Sequence, residues 1–199
     1  MKRLLFTLFI VLFASTSLAA ATMGLYFDLW PGTMAYAPPP EPIPSFFDVY
    51  LYLHDSNYYV TALEYQLTTP LDPAHALFVI IETSYSDQVV VTLGSPFEGH
   101  SLAIWPPLDG YTPGYNMIIK FKCMTLVPCL EPGMTPLPGQ TYLADYPIVI
   151  GPHPDSGECW GTFYPINDTF PITGLRSTLC PNFIGVENTN WGAIKSLYK

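Results

Sequence analysis

Apolar residues in this chain recur at every second position far more often than at the three-and-four spacing of a helix. From Phe47 to Leu53 the odd positions are Phe47, Val49, Leu51 and Leu53, with Asp48, Tyr50 and Tyr52 between them. Successive side chains of an extended strand point to opposite faces, so this pattern predicts a strand buried on one side. The polar stretch His54-Asp55-Ser56-Asn57 ends it. Tyr59 to Leu67 then sets Leu63, Tyr65 and Leu67 against Glu64 and Gln66, which predicts a hairpin partner. Ala76 to Ile81 is apolar throughout and predicts a central strand buried on both faces. Gln88 to Leu93, His100 to Trp105, Asn116 to Cys123 and Thr141 to Ile150 complete the set. Within it, Ile119-Lys120-Phe121-Lys122-Cys123 places both lysines in water and Cys123 on the core side.

Breakers separate these runs: Pro38-Pro39-Pro40, Pro42, Pro44, Pro106-Pro107, Asp109-Gly110, Pro113-Gly114, Pro132-Gly133, Pro136 and Pro138-Gly139. Proline removes a ladder donor and glycine supplies positive φ, so such clusters end strands. Many short strands between dense turns predict an all-β fold, an immunoglobulin-like or jelly-roll β-sandwich of seven to nine strands. The segment from Pro31 to Pro44 is too rich in proline for a strand and reads as an irregular connection across one end.

The two ends depart from this pattern. Lys2 and Arg3 precede a largely apolar run from Leu4 to Phe13, and Ser17-Leu18-Ala19-Ala20-Ala21 supplies small residues for cleavage after Ala19 or Ala21. That order predicts a secretory signal peptide over residues 1–21, too short in its apolar part to span a bilayer. At the other end Trp191, Ile194, Leu197 and Tyr198 recur at helical spacing behind Thr189-Asn190 and before Lys199, which predicts a short amphipathic helix or tail over residues 187–199. Residues 22–186 are then the β-sandwich domain.

Removal of residues 1–21 leaves five basic residues, Lys120, Lys122, Arg176, Lys195 and Lys199, against sixteen acidic ones. The resulting charge of about −11 repels phosphate backbones and argues against a nucleic-acid partner. Cys123, Cys129, Cys159 and Cys180 are an even set in an exported chain and predict two disulfides, with sequence proximity favouring Cys123 with Cys129 and Cys159 with Cys180. Without C-x-x-C or H-x-x-x-H spacing no metal site is expected.

The stretches Met23-Gly24-Leu25-Tyr26-Phe27-Asp28, Pro147-Ile148-Val149-Ile150-Gly151-Pro152 and Trp191-Gly192-x-Ile194-Lys195-x-Leu197-Tyr198-Lys199 resemble a group of exported proteins of uncultured bacteria without assigned activity. That resemblance implies export and an all-β domain. More distantly, Ala62-Leu63-Glu64-Tyr65-Gln66-Leu67 and the strand ending at Cys123 are similar to cohesin-like jelly-roll sandwiches, which implies a domain that docks partner proteins.

No nucleophile elbow, HExxH, P-loop or dinucleotide fingerprint occurs, so neither a cofactor nor a catalytic residue is expected. Glu64 and Glu82 are the strand carboxylates that a glycoside hydrolase would require, the weakest of the functional readings. Of the histidines, His153 stands in the densest polar cluster, with Asp155 and Glu158, and that loop lacks calcium-loop spacing. Aromatic residues make up 15% of the chain. Trp105, Tyr111, Tyr115, Trp160 and Tyr164 stand beside proline-rich turns, where exposed rings stack on sugars or anchor a protein interface. The leading expectation is an exported, non-catalytic sandwich acting by adhesion or interaction with a protein ligand; the alternative is a carbohydrate-binding module built on those five rings.

Overall fold

The computed structural model describes residues 21–37, 43–69, 78–111, 114–131 and 133–181, and the helix expected over 187–199 lies outside them. Every regular element among the described residues is a strand: β1 (Ala21–Tyr26), β2 (Ala35–Tyr36), β3 (Ser45–His54), β4 (Tyr59–Thr68), β5 (Phe78–Tyr85), β6 (Val89–Ser95), β7 (Gly99–Asp109), β8 (Tyr115–Thr125), β9 (Tyr146–Gly151), β10 (Trp160–Tyr164), β11 (Asp168–Gly174) and β12 (Arg176–Leu179). The all-β expectation stands, with twelve strands in place of seven to nine.

One layer runs β5-β8-β3-β1, antiparallel throughout. The other runs β6-β7-β4, and the far edge of β4 is shared between β10 along Tyr59–Glu64 and β9 along Gln66–Thr68. From β10 the ladder passes to β11, which lies parallel to β1 over Ile172–Gly174 and so joins the two layers. From β9 it passes to β12 and the two-residue β2.

Alternation explains how the layers meet. Phe47, Val49, Leu51 and Leu53 of β3 are buried, as are Ile119, Phe121 and Cys123 of β8. They join Leu63, Tyr65 and Leu67 of β4 and Leu102, Ile104 and Leu108 of β7 in a single core. Each such side chain contributes roughly 1.5–3 kcal/mol by leaving water, so the core is the dominant stabilising term. Outside it Lys122 is exposed, while Lys120 pairs with Asp48 at 2.8 Å and lies over the Tyr50 ring.

Four local expectations are corrected. β3 and β4 are not a hairpin: β3 pairs with β1 and β8, and β4 with β7, β9 and β10. The polar bend between them carries Asp55 and Asn57 at positive φ and takes the chain from one layer to the other. Its inner side is held by Asn57 N–H donating to the Gly110 carbonyl at 3.0 Å. A Cβ at Gly110 would lie 1.6 Å from Ser56 Oγ, so only glycine fits there.

The strand expected at Ala76 to Ile81 is, from Phe78 onward, β5, with Ala76 and Leu77 outside the described residues; among the described strands it is the last of its layer and pairs only with β8. A bulge between Ile80 and Glu82 turns Ile81 outward at 45% exposure, so its apolar run does not mark a central position. In the stretch from Thr141 to Ile150, positive φ at Asp145 delays the strand to Tyr146, and Leu143 instead bridges to Cys129.

The disulfide is Cys129–Cys180, and Cys123 and Cys159 are free thiols. Cys123 is not paired with Cys129 because it points into the core from within the β8 ladder, two residues before its end, between Phe47 and Ile80. Cys129 lies beyond the end of that ladder, next to Leu143. Asp145 N–H donates to the Cys180 carbonyl at 2.7 Å, which brings the end of β12 to the same place.

Candidate functional site

The outer surface of the second layer is the candidate site, and ladder register fixes its composition. Leu93 of β6, Ser101 of β7, Glu64 of β4 and Trp160 of β10 are successive partners across the strands, and Val91, Ala103, Ala62 and Thr162 form the next row. Leu63, Tyr65, Leu102 and Ile104 point inward. Their neighbours along the chain therefore face water. Small residues at Ala62 and Ala103 keep the centre flat, with Val91 at 51% exposure and Leu93 at 66% along one side.

Trp105 rises from this surface at 61% exposure. The residues of β7 between Ala103 and Leu108 bulge opposite Thr61, since Ala62 faces Ala103 and Val60 faces Leu108. Gln88 fixes the bulge twice: its carbonyl accepts from Trp105 N–H at 2.7 Å, and its side-chain amide donates to the Pro106 carbonyl at 3.1 Å. The indole is thus held on a tethered backbone, which lowers the entropy lost when it is covered.

Two side-chain hydrogen bonds lie within the face. Ser101 Oγ donates to Glu64 Oε1 at 3.1 Å, and Thr61 Oγ1 donates to the Thr162 carbonyl at 3.1 Å. Behind the face Gly161 leaves room for the Phe170 ring, which a Cβ would meet at 2.5 Å.

Of the five aromatic residues singled out from sequence, Trp105 and Trp160 lie on this face. Tyr164 stands at its end, opposite Tyr59 on the ladder, and Tyr111 packs edge-on against Tyr59 with ring centres 5.0 Å apart. Tyr115 belongs to the other layer, where it meets Tyr26, Tyr52 and His54. None of the five rings contacts another. Val90, Val91, Leu93, Ala62 and Ala103 were not legible as site residues; the signal available for them was the run Val89-Val90-Val91, which lacks the alternation of a half-buried strand.

Glu64 and Glu82 stand on opposite outer surfaces, Glu64 on β4 and Glu82 on β5 across from Lys122, so they do not flank one cleft. His153 is buried in its turn, where its Nδ1 accepts from Asp155 N–H at 3.2 Å, while the Asp155 and Glu158 side chains are exposed.

His100 is fully buried just inside the face. Its Nδ1 is 2.9 Å from Tyr65 Oη and its Nε2 3.2 Å from Tyr85 Oη. A neutral imidazole donates from one nitrogen and accepts at the other, so one tyrosine accepts and the other donates. Burial, aided by His153, lowers the His100 pKa from 6.5 to about 4. Because Tyr85 comes from β5, this is a polar tie between the layers. Burial also pushes the Cys159 thiol up to about 12, and Cys123 higher still, so neither is a reactive thiolate.

No family description and no curated protein sequence matches the chain. Solved structures do. A cohesin module from a family 33 glycoside hydrolase of Clostridium perfringens is 11% identical, spans 82% of this chain and 98% of its own, and superposes with a TM-score of 0.51. The third ScaB cohesin of R. flavefaciens, in complex with a group 1 dockerin, is 14% identical over 82% of this chain and 96% of its own, with a TM-score of 0.44. The seventh ScaB type I cohesin from Pseudobacteroides cellulosolvens is 10% identical over 79% and 92%, again at 0.44. At these identities the likeness is one of fold: this chain has a cohesin-like β-sandwich.

Proposed function

We propose that this protein is an exported, non-catalytic interaction module that holds a partner protein on the outer face of β6, β7, β4 and β10. The observation that carries the reading is the surface itself: a flat sheet face with Ala62 and Ala103 at its centre, Val91 and Leu93 along one side and two tryptophans beside them. Contiguous exposed apolar patches of this kind mark interaction sites, and a clamped tryptophan at the edge of an aliphatic patch has the composition of an interface hot spot.

A protein partner fits better than a sugar. Sugars need rings for stacking together with free polar groups for their hydroxyls, whereas here the centre is aliphatic and the Glu64, Ser101 and Thr61 side chains are hydrogen-bonded within the face. The cohesin-like fold is in keeping with a docking role, and the Cys129–Cys180 disulfide with an oxidising compartment.

The test compares immobilised wild-type chain with two variants against extracts of its own source organism, read by quantitative mass spectrometry. Ala62→Arg places a charge in the centre of the face at an outward position, and Lys122→Glu changes the opposite surface. The reading expects a protein held by wild type and by Lys122→Glu and lost at least tenfold by Ala62→Arg, with no binding on a glycan array. Retention by Ala62→Arg, or glycan binding abolished by Trp105→Ala, would contradict it.

A further inference from the structure

We infer that the chain pairs with a second copy of itself through β6, antiparallel and about a two-fold axis at Thr92. β6 ends its layer: β7 occupies one edge, and no described strand occupies the other. Free strand edges are ordinarily guarded by lysine, proline, inward-pointing charge or shortness. Of the other strands that end a ladder among the described residues, β2 has two residues, and β5 carries Glu82 and the bulge at Ile81. β6 has seven residues, Val89-Val90-Val91-Thr92-Leu93-Gly94-Ser95, without a charge or a proline, and its own bulge, at Val90, leaves Val91 to Ser95 in unbroken register with β7. Val90 is 56% exposed, and Val91 and Leu93 are more than half exposed.

Symmetry favours a second copy over a foreign strand. With the axis at Thr92, Val91 of each copy lies opposite Leu93 of the other. Both side chains project on the outer side, since Val91 neighbours Ala103 and Leu93 neighbours Ser101. Apolar cross-strand pairs of this kind stabilise an antiparallel ladder. A chain with net charge −9 repels its copies in general, but this strand brings no charge to the contact. The product is a continuous sheet, β10-β4-β7-β6 and its copy, whose two apolar faces adjoin. The pairing does not require the face to hold a foreign protein, so the two readings fail separately.

A seven-residue edge contact falls below the ~1,200 Å² of standard specific interfaces, which places its dissociation constant between about 10 μM and 1 mM. Analytical ultracentrifugation of the mature chain is expected to show a concentration-dependent monomer–dimer equilibrium in that range. The double variant Val91→Lys with Leu93→Lys shifts it at least tenfold toward monomer, whereas Trp105→Lys, on the same face but one strand in, leaves it unchanged. In wild type, amide exchange over Val89–Ser95 slows as concentration rises. A wild-type chain monomeric up to ~1 mM, a β6 segment whose exchange ignores concentration, or a dimer lost through Trp105→Lys and kept by the double lysine variant would overturn the proposal.

Discussion

His100 shows how a single residue links local chemistry to the stability of this fold. Its side chain lies in the core between Tyr65 and Tyr85, and its pKa drops from 6.5 to about 4 because burial penalises the charged form. Between those values the unfolded chain binds a proton that the folded chain does not, so stability rises with pH over this window and is complete above 6.5. The loss on going down through the window is up to about 3 kcal/mol. Urea unfolding at a series of pH values between 7 and 4 should show that fall, and His100→Gln should flatten it. Equal stability of the wild-type chain at pH 6.5 and pH 4.5 would contradict the assignment. This role was not legible in sequence: His100 opens an apolar run and reads there as a strand start, and its two tyrosines come from other strands.

At the scale of elements, the strands that alternate cleanly were legible and those defined by distant partners were not. Phe47 to Leu53, Tyr59 to Leu67 and Asn116 to Cys123 match β3, β4 and β8 within a few residues, because one side of each is core and the other is water. β1, β2, β10, β11 and β12 were missed, β2 inside the Pro31 to Pro44 segment read as irregular. β1 overlaps the expected leader boundary, with buried Ala21 as its first residue; β11 contains Pro171; and β12 has four residues. Pairing was harder still, since proximity along the chain suggested both the β3-β4 hairpin and the two short disulfide loops.

The disulfide that exists joins residues 51 apart, clamping the segment after β8 to the end of β12. A loop of that length stabilises by about 4 kcal/mol through the unfolded state. Unreduced chain in denaturant should therefore titrate two thiols, from Cys123 and Cys159, and Cys129→Ser with Cys180→Ser should lower unfolding free energy by about that amount. A titration of no thiols would restore the two-disulfide arrangement and contradict this fold.

For the whole molecule, the two layers differ in their outer surfaces. The layer β5-β8-β3-β1 carries the Asp48–Lys120 pair and the tyrosine cluster around Tyr115 on its outer side, while the layer β6-β7-β4-β10 leaves an aliphatic face open. Aromatic residues near turns pointed toward that second face through Trp105 and Trp160. Its aliphatic centre emerged only from register, because Ala62 and Ala103 are unremarkable in sequence until Val91 and Thr162 are placed beside them. Photo-crosslinking in the native extract tests the central claim most directly, with a benzophenone side chain placed in turn at position 103 of the open face and at position 122 of the opposite one. Position 103 is expected to capture a discrete protein that position 122 does not. Equal capture from both positions, or capture from position 122 alone, would contradict an interaction module that works through β6, β7, β4 and β10.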